Sequence, residues 1–308
     1  MIDLHTHTNF SDGASSPEQL LMDAQESGAD VISITDHINV DVYDYLKTID
    51  VKKFYKGKII KGVEVYCGYK GKQIELLGYG IDTDKLKPFL NKHFDLEVQI
   101  KNLQNQFDYL NGVCKRLGIK TNENIKADKS LAFVKPYFKD NIQSFPENEK
   151  FFEKDIWDNY KKFYRLCVCN RESPFYINFC DYYPSVEEVA DAIHNAGGKV
   201  VIAHSWLYGF EDTMQEVKEL IATGKIDGVE CYYSDFTQEQ SKQLLDYCKE
   251  NNLMITGGSD YHGINRPCKI AHGNNNDLFI PNELLTQFSF KDYYNEHLTL
   301  EKGEELSC

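Results

Sequence analysis

Arginine is scarce in this sequence: there are four in 308 residues, and 34 basic side chains face 48 acidic ones, for a net charge of −14. That balance excludes a broad electrostatic footprint for duplex nucleic acid or an anionic membrane. It leaves room for a small anionic substrate held through metal ions, because bound ions reverse the local field. No apolar run approaches the roughly 18 residues that a membrane span needs. The N-terminal segment MIDLHTHTNF has neither a basic n-region nor an apolar h-region, so a signal peptide is not expected. The nine cysteines form no C-x-x-C pair, and Cys167 and Cys169 are only neighbours two positions apart. Such spacing fits reduced thiols and a cytoplasmic location. Internal repeats, a low-complexity tail, a G-x-S-x-G turn and a cysteine-phosphatase loop are all missing.

What is present is a globular composition, 42% hydrophobic and 27% charged. Five short runs rich in Ile and Val end in polar residues of one kind. Residues 2–4 lead into His5 and His7, 31–34 into Asp36 and His37, and 59–63 into Glu64. Residues 199–203 lead into His204, and 253–256 pass through two glycines into Asp260 and His262. These runs predict buried strands, with a sixth over 226–232. Between them lie helix signals. Ser16-Pro17-Glu18 opens a helix that Gly28 ends, Ser185 caps 186–195, and Thr237-Gln238-Glu239-Gln240 is a capping box for a helix to about residue 251. Strand alternating with helix predicts parallel strands, and reactive side chains at their C-terminal ends predict an α/β barrel.

Residues 85–183 break this alternation. Leu96, Ile100, Leu103, Phe107, Leu110, Cys114 and Leu117 mark one helix face, and Phe152, Ile156, Tyr160 and Phe163 recur in the same way. The predicted organisation is a barrel from 1–84 and 184–308, with 85–183 as a helical insertion covering the active site.

His5 and His7 share one strand face because side chains alternate. Asp12 follows in a Ser-Asp-Gly turn. Two histidines and a carboxylate so close together are a metal-ligand pattern. With His37, Glu64, His204, Asp260 and His262 there are five histidines and three carboxylates, too many for one ion and suited to two or three.

HTHTNFSDG, ITDH, GVE, IAHS and GSDYHG, in this order, resemble the motifs of the PHP (polymerase and histidinol phosphatase) phosphoesterase family. The stretches SPEQLLMDAQESGADVISITDH and GVECYYSDFTQEQ are similar to the branch with nucleoside 3′,5′-bisphosphate phosphatases and 5′-to-3′ exoribonucleases. The resemblance covers about residues 1–84 and 184–270. It implies a distorted (β/α)7 TIM-like barrel of PHP fold holding divalent ions, Zn, Mn or Fe. Carried over, His5, His7, Glu64 and Asp260 hold one ion, Asp12, His37 and His262 a second, and Glu64 and His204 a third, with Glu64 bridging. Glu75, in Ile74-Glu75-Leu76-Leu77-Gly78, stands where the family has a histidine for that third ion. A carboxylate there favours Mn or Fe over Zn.

The chain departs from the family at Ser205, where a proline is common, and by lacking a Gly-Arg-x-His stretch in the insertion. Lys135, Lys139, Arg165 and Arg171 are what the insertion offers instead. Arg171 is the candidate phosphate contact there, the alternative being an exposed, solubilising arginine. Arg266 and Tyr232, with Tyr233 beside it, are candidate contacts near the barrel site. Asp36 is a candidate hydrogen-bond acceptor orienting a ligand. The implied activity is hydrolysis of a phosphomonoester, on a nucleotide or short oligonucleotide, by metal-activated hydroxide. Histidinol-phosphate phosphatase and a metal-binding module without phosphatase activity are the alternatives. Neither membrane nor stable duplex nucleic-acid binding is expected.

Overall fold

The computed structural model describes residues 1–294 apart from 267 and 276. Residues 295–308 of the expected barrel segment, including His297, lie outside the described residues. The described chain divides into two compact units. The first comprises residues 1–67, 73–90 and 184 onward, and the second 68–72 and 91–183.

The first unit begins with β1 (Ile2–Thr6), α1 (Pro17–Ser27), β2 (Val31–Ile34) and the short α2 (Val42–Leu46). It continues through β3 (Lys58–Tyr69), β4 (Lys72–Tyr79) and α3 (Thr83–Phe94), which carries the chain into the second unit. That unit holds α4 (Leu96–Leu117) and α5 (Lys154–Asp158). The chain then returns through α6 (Val186–Asn195), β5 (Lys199–Ile202), α7 (Thr213–Ala222), β6 (Gly228–Tyr233), α8 (Gln238–Glu250) and β7 (Met254–Gly258).

The strands form one mixed sheet in sequential order from β1 to β7. β1–β2, β2–β3, β5–β6 and β6–β7 are parallel. The sheet curls until its edges meet: Asp260 N–H donates to His5 O at 2.9 Å and His7 N–H to Tyr261 O at 2.8 Å. Gly258 permits this approach, since a Cβ there would fall 2.2 Å from the Cβ of His5. The result is a distorted TIM-like barrel with helices around it.

The all-parallel expectation needs one correction. β3 does not stop at Glu64 but runs on to Tyr69, turns at Lys70-Gly71 and returns as β4, which pairs antiparallel with β5. Lys70 and Gly71 have φ of 45° and 76°, a two-residue turn that joins only antiparallel strands. β4 is hidden in sequence because Leu76, Leu77 and Gly78 break the alternation of a strand with one wet face.

The helix boundaries follow their caps. Ser16 accepts from Gln19 N–H and Gly28 closes α1 at φ 75°. Ser185 with Glu188, and Thr237 with Gln240, form reciprocal capping boxes.

The second unit, taken by itself, packs α4 against a core of aromatic side chains. Phe107, Tyr137, Phe138 and Phe163 are fully buried, and the rings of Phe138 and Phe163 stack at 4.4 Å. The helix predicted from the recurrence of Phe152, Ile156, Tyr160 and Phe163 is only partly formed. α5 ends at Asp158, and Asn159 turns out of it at φ −129°, ψ 87°. The aromatic spacing there serves the core through short irregular turns.

Candidate metal centre

The parallel strands deliver their last residues to one rim of the barrel. His5 and His7 leave β1, His37 follows β2, Glu64 lies within β3, His204 follows β5, and Asp260 and His262 follow β7. Glu64 is fully buried at the middle of this group. Its Oε2 lies 3.2 Å from His5 Nε2, 3.3 Å from His7 Nε2 and 3.2 Å from His37 Nδ1. Its Oε1 lies 2.9 Å from His204 Nε2. Asp260 Oδ1 is 3.2 Å from His7 Nε2 and 3.4 Å from His262 Nδ1. Asp260 takes a left-handed backbone at φ 55°, strain of the kind that clusters at functional sites. Asp12 Oδ1 sits 3.0 Å from His262 Nε2 and 3.7 Å from His37 Nε2.

Three sets of donors each lie within 4.8 Å of one another: His7, Asp12, His37 and His262; His5, His7 and Asp260; and His5, Glu64 and His204. His7 belongs to two of them, where the family resemblance grouped it with one ion only. Glu75 Oε2 lies 3.2 Å from His204 Nε2, beside the third set.

The chemistry of this donor set fits divalent ions. Both ring nitrogens of His7, and Nδ1 of His37 and of His204, are buried with no aligned hydrogen-bond partner. The His7 nitrogens and His37 Nδ1 lie near carboxylate oxygens of Asp12, Glu64 or Asp260 yet are not aimed to bond them, which suits atoms converging on a shared cation. The charge balance points the same way. Burial disfavours a charged His7 ring, but Asp260 and Glu64 outweigh it and push its pKa up to about 10. Burial also opposes a charged His204, and Glu64 and Glu75 raise it to about 9. Burial and the charge of Glu64 push the Glu75 carboxyl up to about 7. The carboxylates thus demand positive charge, which protons supply in the metal-free chain and divalent ions would supply otherwise.

Asp36 is buried, but it serves the loop that carries Asp12 and not a ligand ring. It accepts from Thr8 N–H at 2.7 Å, Thr8 Oγ1 at 2.6 Å and Ser11 Oγ at 2.8 Å. Of the candidate substrate contacts, Arg266 lies at the cluster, donating to Asp260 and, at 2.9 Å, to Tyr233 Oη. Tyr232 turns the other way and packs with the apolar cluster of Ile2, Leu4 and Val31. Tyr233 is the neighbour that reaches the site, its hydroxyl donating to Asp260 Oδ2 at 2.7 Å. Arg171 is exposed and donates to the Lys70 carbonyl within the second unit. Glu230 was not expected. It is fully buried on β6 and contacts His5 and His204. The one signal in sequence was a glutamate inside an apolar strand run.

The chain is 25% identical over 286 residues to a 5′-3′ exoribonuclease of Haemophilus influenzae, spanning 90% of this chain and 94% of the relative. It is 22% identical over 267 residues to a phosphoribosyl 1,2-cyclic phosphate 1,2-diphosphodiesterase of Eggerthella lenta, spanning 85% and 94%. Among solved structures, a protein proposed as a metal-dependent phosphoesterase from Bifidobacterium adolescentis aligns with a TM-score of 0.62 at 19% identity, over 93% of this chain and 94% of that one. An amidohydrolase from Chromobacterium violaceum, solved with sulfate and without metal, aligns with a TM-score of 0.60 at 19% identity, over 85% and 87%. A family model for the PHP domain matches residues 3–202, more than half of the sequence, and the chain belongs to the PHP domain family.

Proposed function

We propose that the chain is a metal-dependent phosphoesterase acting on a small ribose-phosphate or nucleotide-like ester. The observation that carries this reading is Glu64, buried with four imidazoles within 3.3 Å of its two oxygens. Two to three divalent ions, Mn, Fe or Zn, would be held by His5, His7, Asp12, His37, Glu64, His204, Asp260 and His262, with Glu75 beside His204. When bound, such ions lower the pKa of water toward neutrality and neutralise charge on a phosphoryl group.

The chain's own residues supply the rest. Arg266 brings a fixed positive charge to the edge of the cluster, where its fork is held by Asp260, Tyr233 and Asp235 and a phosphate would compete with the two carboxylates for it. Tyr233 fixes Asp260 by its hydroxyl, and the Asp36 network holds the loop of Asp12. Arg171 is kept as a candidate phosphate contact of the second unit. Both curated relatives named above act, by their names, on phosphodiesters of ribose, which supports a ribose-phosphate substrate. The chemistry is then either release of a terminal phosphate or opening of a diester. No helix among the described residues is long and apolar enough to cross a membrane. The buried free thiols Cys67, Cys114, Cys231 and Cys248 support a reducing, cytoplasmic location.

The test is elemental analysis of the purified protein coupled to product analysis on a panel: a 3′,5′-bisphosphonucleoside, a ribosyl cyclic phosphate, histidinol phosphate and short RNA, with manganese added. Bound metal with turnover of one ribose-phosphate ester is the expected result. Preference for histidinol phosphate would move the substrate class, and metal-free protein with no turnover on any compound would refute the reading.

A further inference from the structure

Glu230 lies on β6 with both carboxylate oxygens engaged. Oε1 is 2.9 Å from His5 Nδ1, and Oε2 accepts the backbone N–H of His204 at 2.8 Å. The sheet register explains the second contact: Ile202 of β5 pairs with Val229, so Glu230 comes level with the peptide that follows β5. A carboxylate has no proton to donate, so the first contact requires the proton of His5 on Nδ1. The other nitrogen, Nε2, faces Glu64 Oε2 at 3.2 Å and Asp260 Oδ1 at 3.5 Å, so in the metal-free ring it carries a proton as well; a divalent ion would take the place of that proton, while Nδ1–H stays on Glu230. Glu230 itself belongs to none of the three donor sets among the described residues.

We propose that Glu230 is a positioning residue for the candidate metal centre. It holds His5 in the tautomer whose Nε2 can ligate, and it anchors the peptide that carries His204. One buried carboxylate thereby orients two members of the donor set, which are supplied by β1 and by the end of β5. This rests on the metal-centre reading above. It adds a role for a residue outside the donor sets, the kind of outer support that governs ligand orientation and basicity.

Glu230→Gln tests it, because the amide keeps the shape but can serve only one partner. If its oxygen accepts from His204, its NH2 faces His5 Nδ1 and drives the ring proton to Nε2. If its oxygen faces His5, its NH2 confronts the His204 N–H. Zinc or manganese affinity, read by chelator competition, is expected to fall about 10- to 100-fold in E230Q with a native circular-dichroism spectrum. An affinity equal to wild type would overturn the proposal.

A second measurement needs no variant. Ring-nitrogen NMR of the zinc-loaded wild type should show a slowly exchanging proton on His5 Nδ1. A bare Nδ1 would overturn the proposal even if E230Q fails to fold. A merely structural glutamate would leave that tautomer unspecified. If the wild type takes up no divalent ion, the metal-centre reading itself fails, an outcome distinct from equal binding by wild type and variant.

Discussion

Two buried polar residues, one from each unit, serve opposite ends. In the second unit Asn148 is fully buried and its amide is spent on backbone: Nδ2 donates to Lys120 O at 2.8 Å and Ile142 O at 2.9 Å, and Oδ1 accepts Lys120 N–H at 3.0 Å. Its donors and acceptors are matched, and the residue pins a turn. In the first unit His7 is equally buried, yet both ring nitrogens lack an aligned partner, as does Nδ1 of His37 and of His204. A buried polar group that is satisfied supports structure. A cluster left unsatisfied at the ends of strands marks where a ligand belongs.

The sharpest way to break this comparison is at Asp260. Asp260→Asn keeps the size and tolerates the left-handed backbone, but removes the charge that faces His7 and His262. Phosphate-ester hydrolysis is expected to fall about 1000-fold, with loss of bound metal and a native circular-dichroism spectrum. Unchanged turnover with full metal content would remove the site from this rim.

In the second unit the large effect should be on stability alone. Phe163→Ala opens a cavity where the ring stacks on Phe138 at 4.4 Å. Chemical denaturation should show a loss of about 3–5 kcal/mol, with metal bound per folded chain unchanged. Metal loss in the folded variant would show that the two kinds of burial are not separable.

Gly258→Ala probes where packing and site coincide. The new methyl would fall 2.2 Å from His5 Cβ, so the edge closing the sheet must shift. A cost of about 1–3 kcal/mol is expected, with weaker metal binding as well, because His5 moves. Full metal affinity would show that the closure is more compliant than this spacing implies. The smallest effect belongs to Thr237→Ala, which removes half of the capping box that Thr237 forms with Gln240. About 1 kcal/mol of stability should be lost, with activity retained. A drop in activity would connect α8 to the site.

Legibility in the sequence followed the same division. Ser16, Ser185 and Thr237 marked helix starts because a cap is satisfied within its own first turn. Apart from Asp12, which sits in a Ser-Asp-Gly turn, the residues of the cluster were legible because each follows or lies in a short apolar run. β4 was not, because its pairing with β5 joins segments more than a hundred residues apart. The helix expected through Tyr160 and Phe163 failed because spacing of 3 and 4 cannot separate a continuous helix from short turns around an aromatic core. Glu230 was passed over since its partners, His5 and His204, are set by the closed sheet.

The sequence by itself determined every strand but β4, the capped helices α1, α6 and α8, the kinds of donor and the strands that present them, since these depend on local periodicity and capping. Only the tertiary structure decided which donors meet: that Tyr233 and not Tyr232 faces Asp260, that His7 joins two donor sets, and that Glu230 supports His5 and His204. The reason is physical. A strand's alternation selects a face, but the bulge between Glu230 and Tyr232 and the closure of β7 on β1 select the neighbour. Both belong to the sheet as a whole.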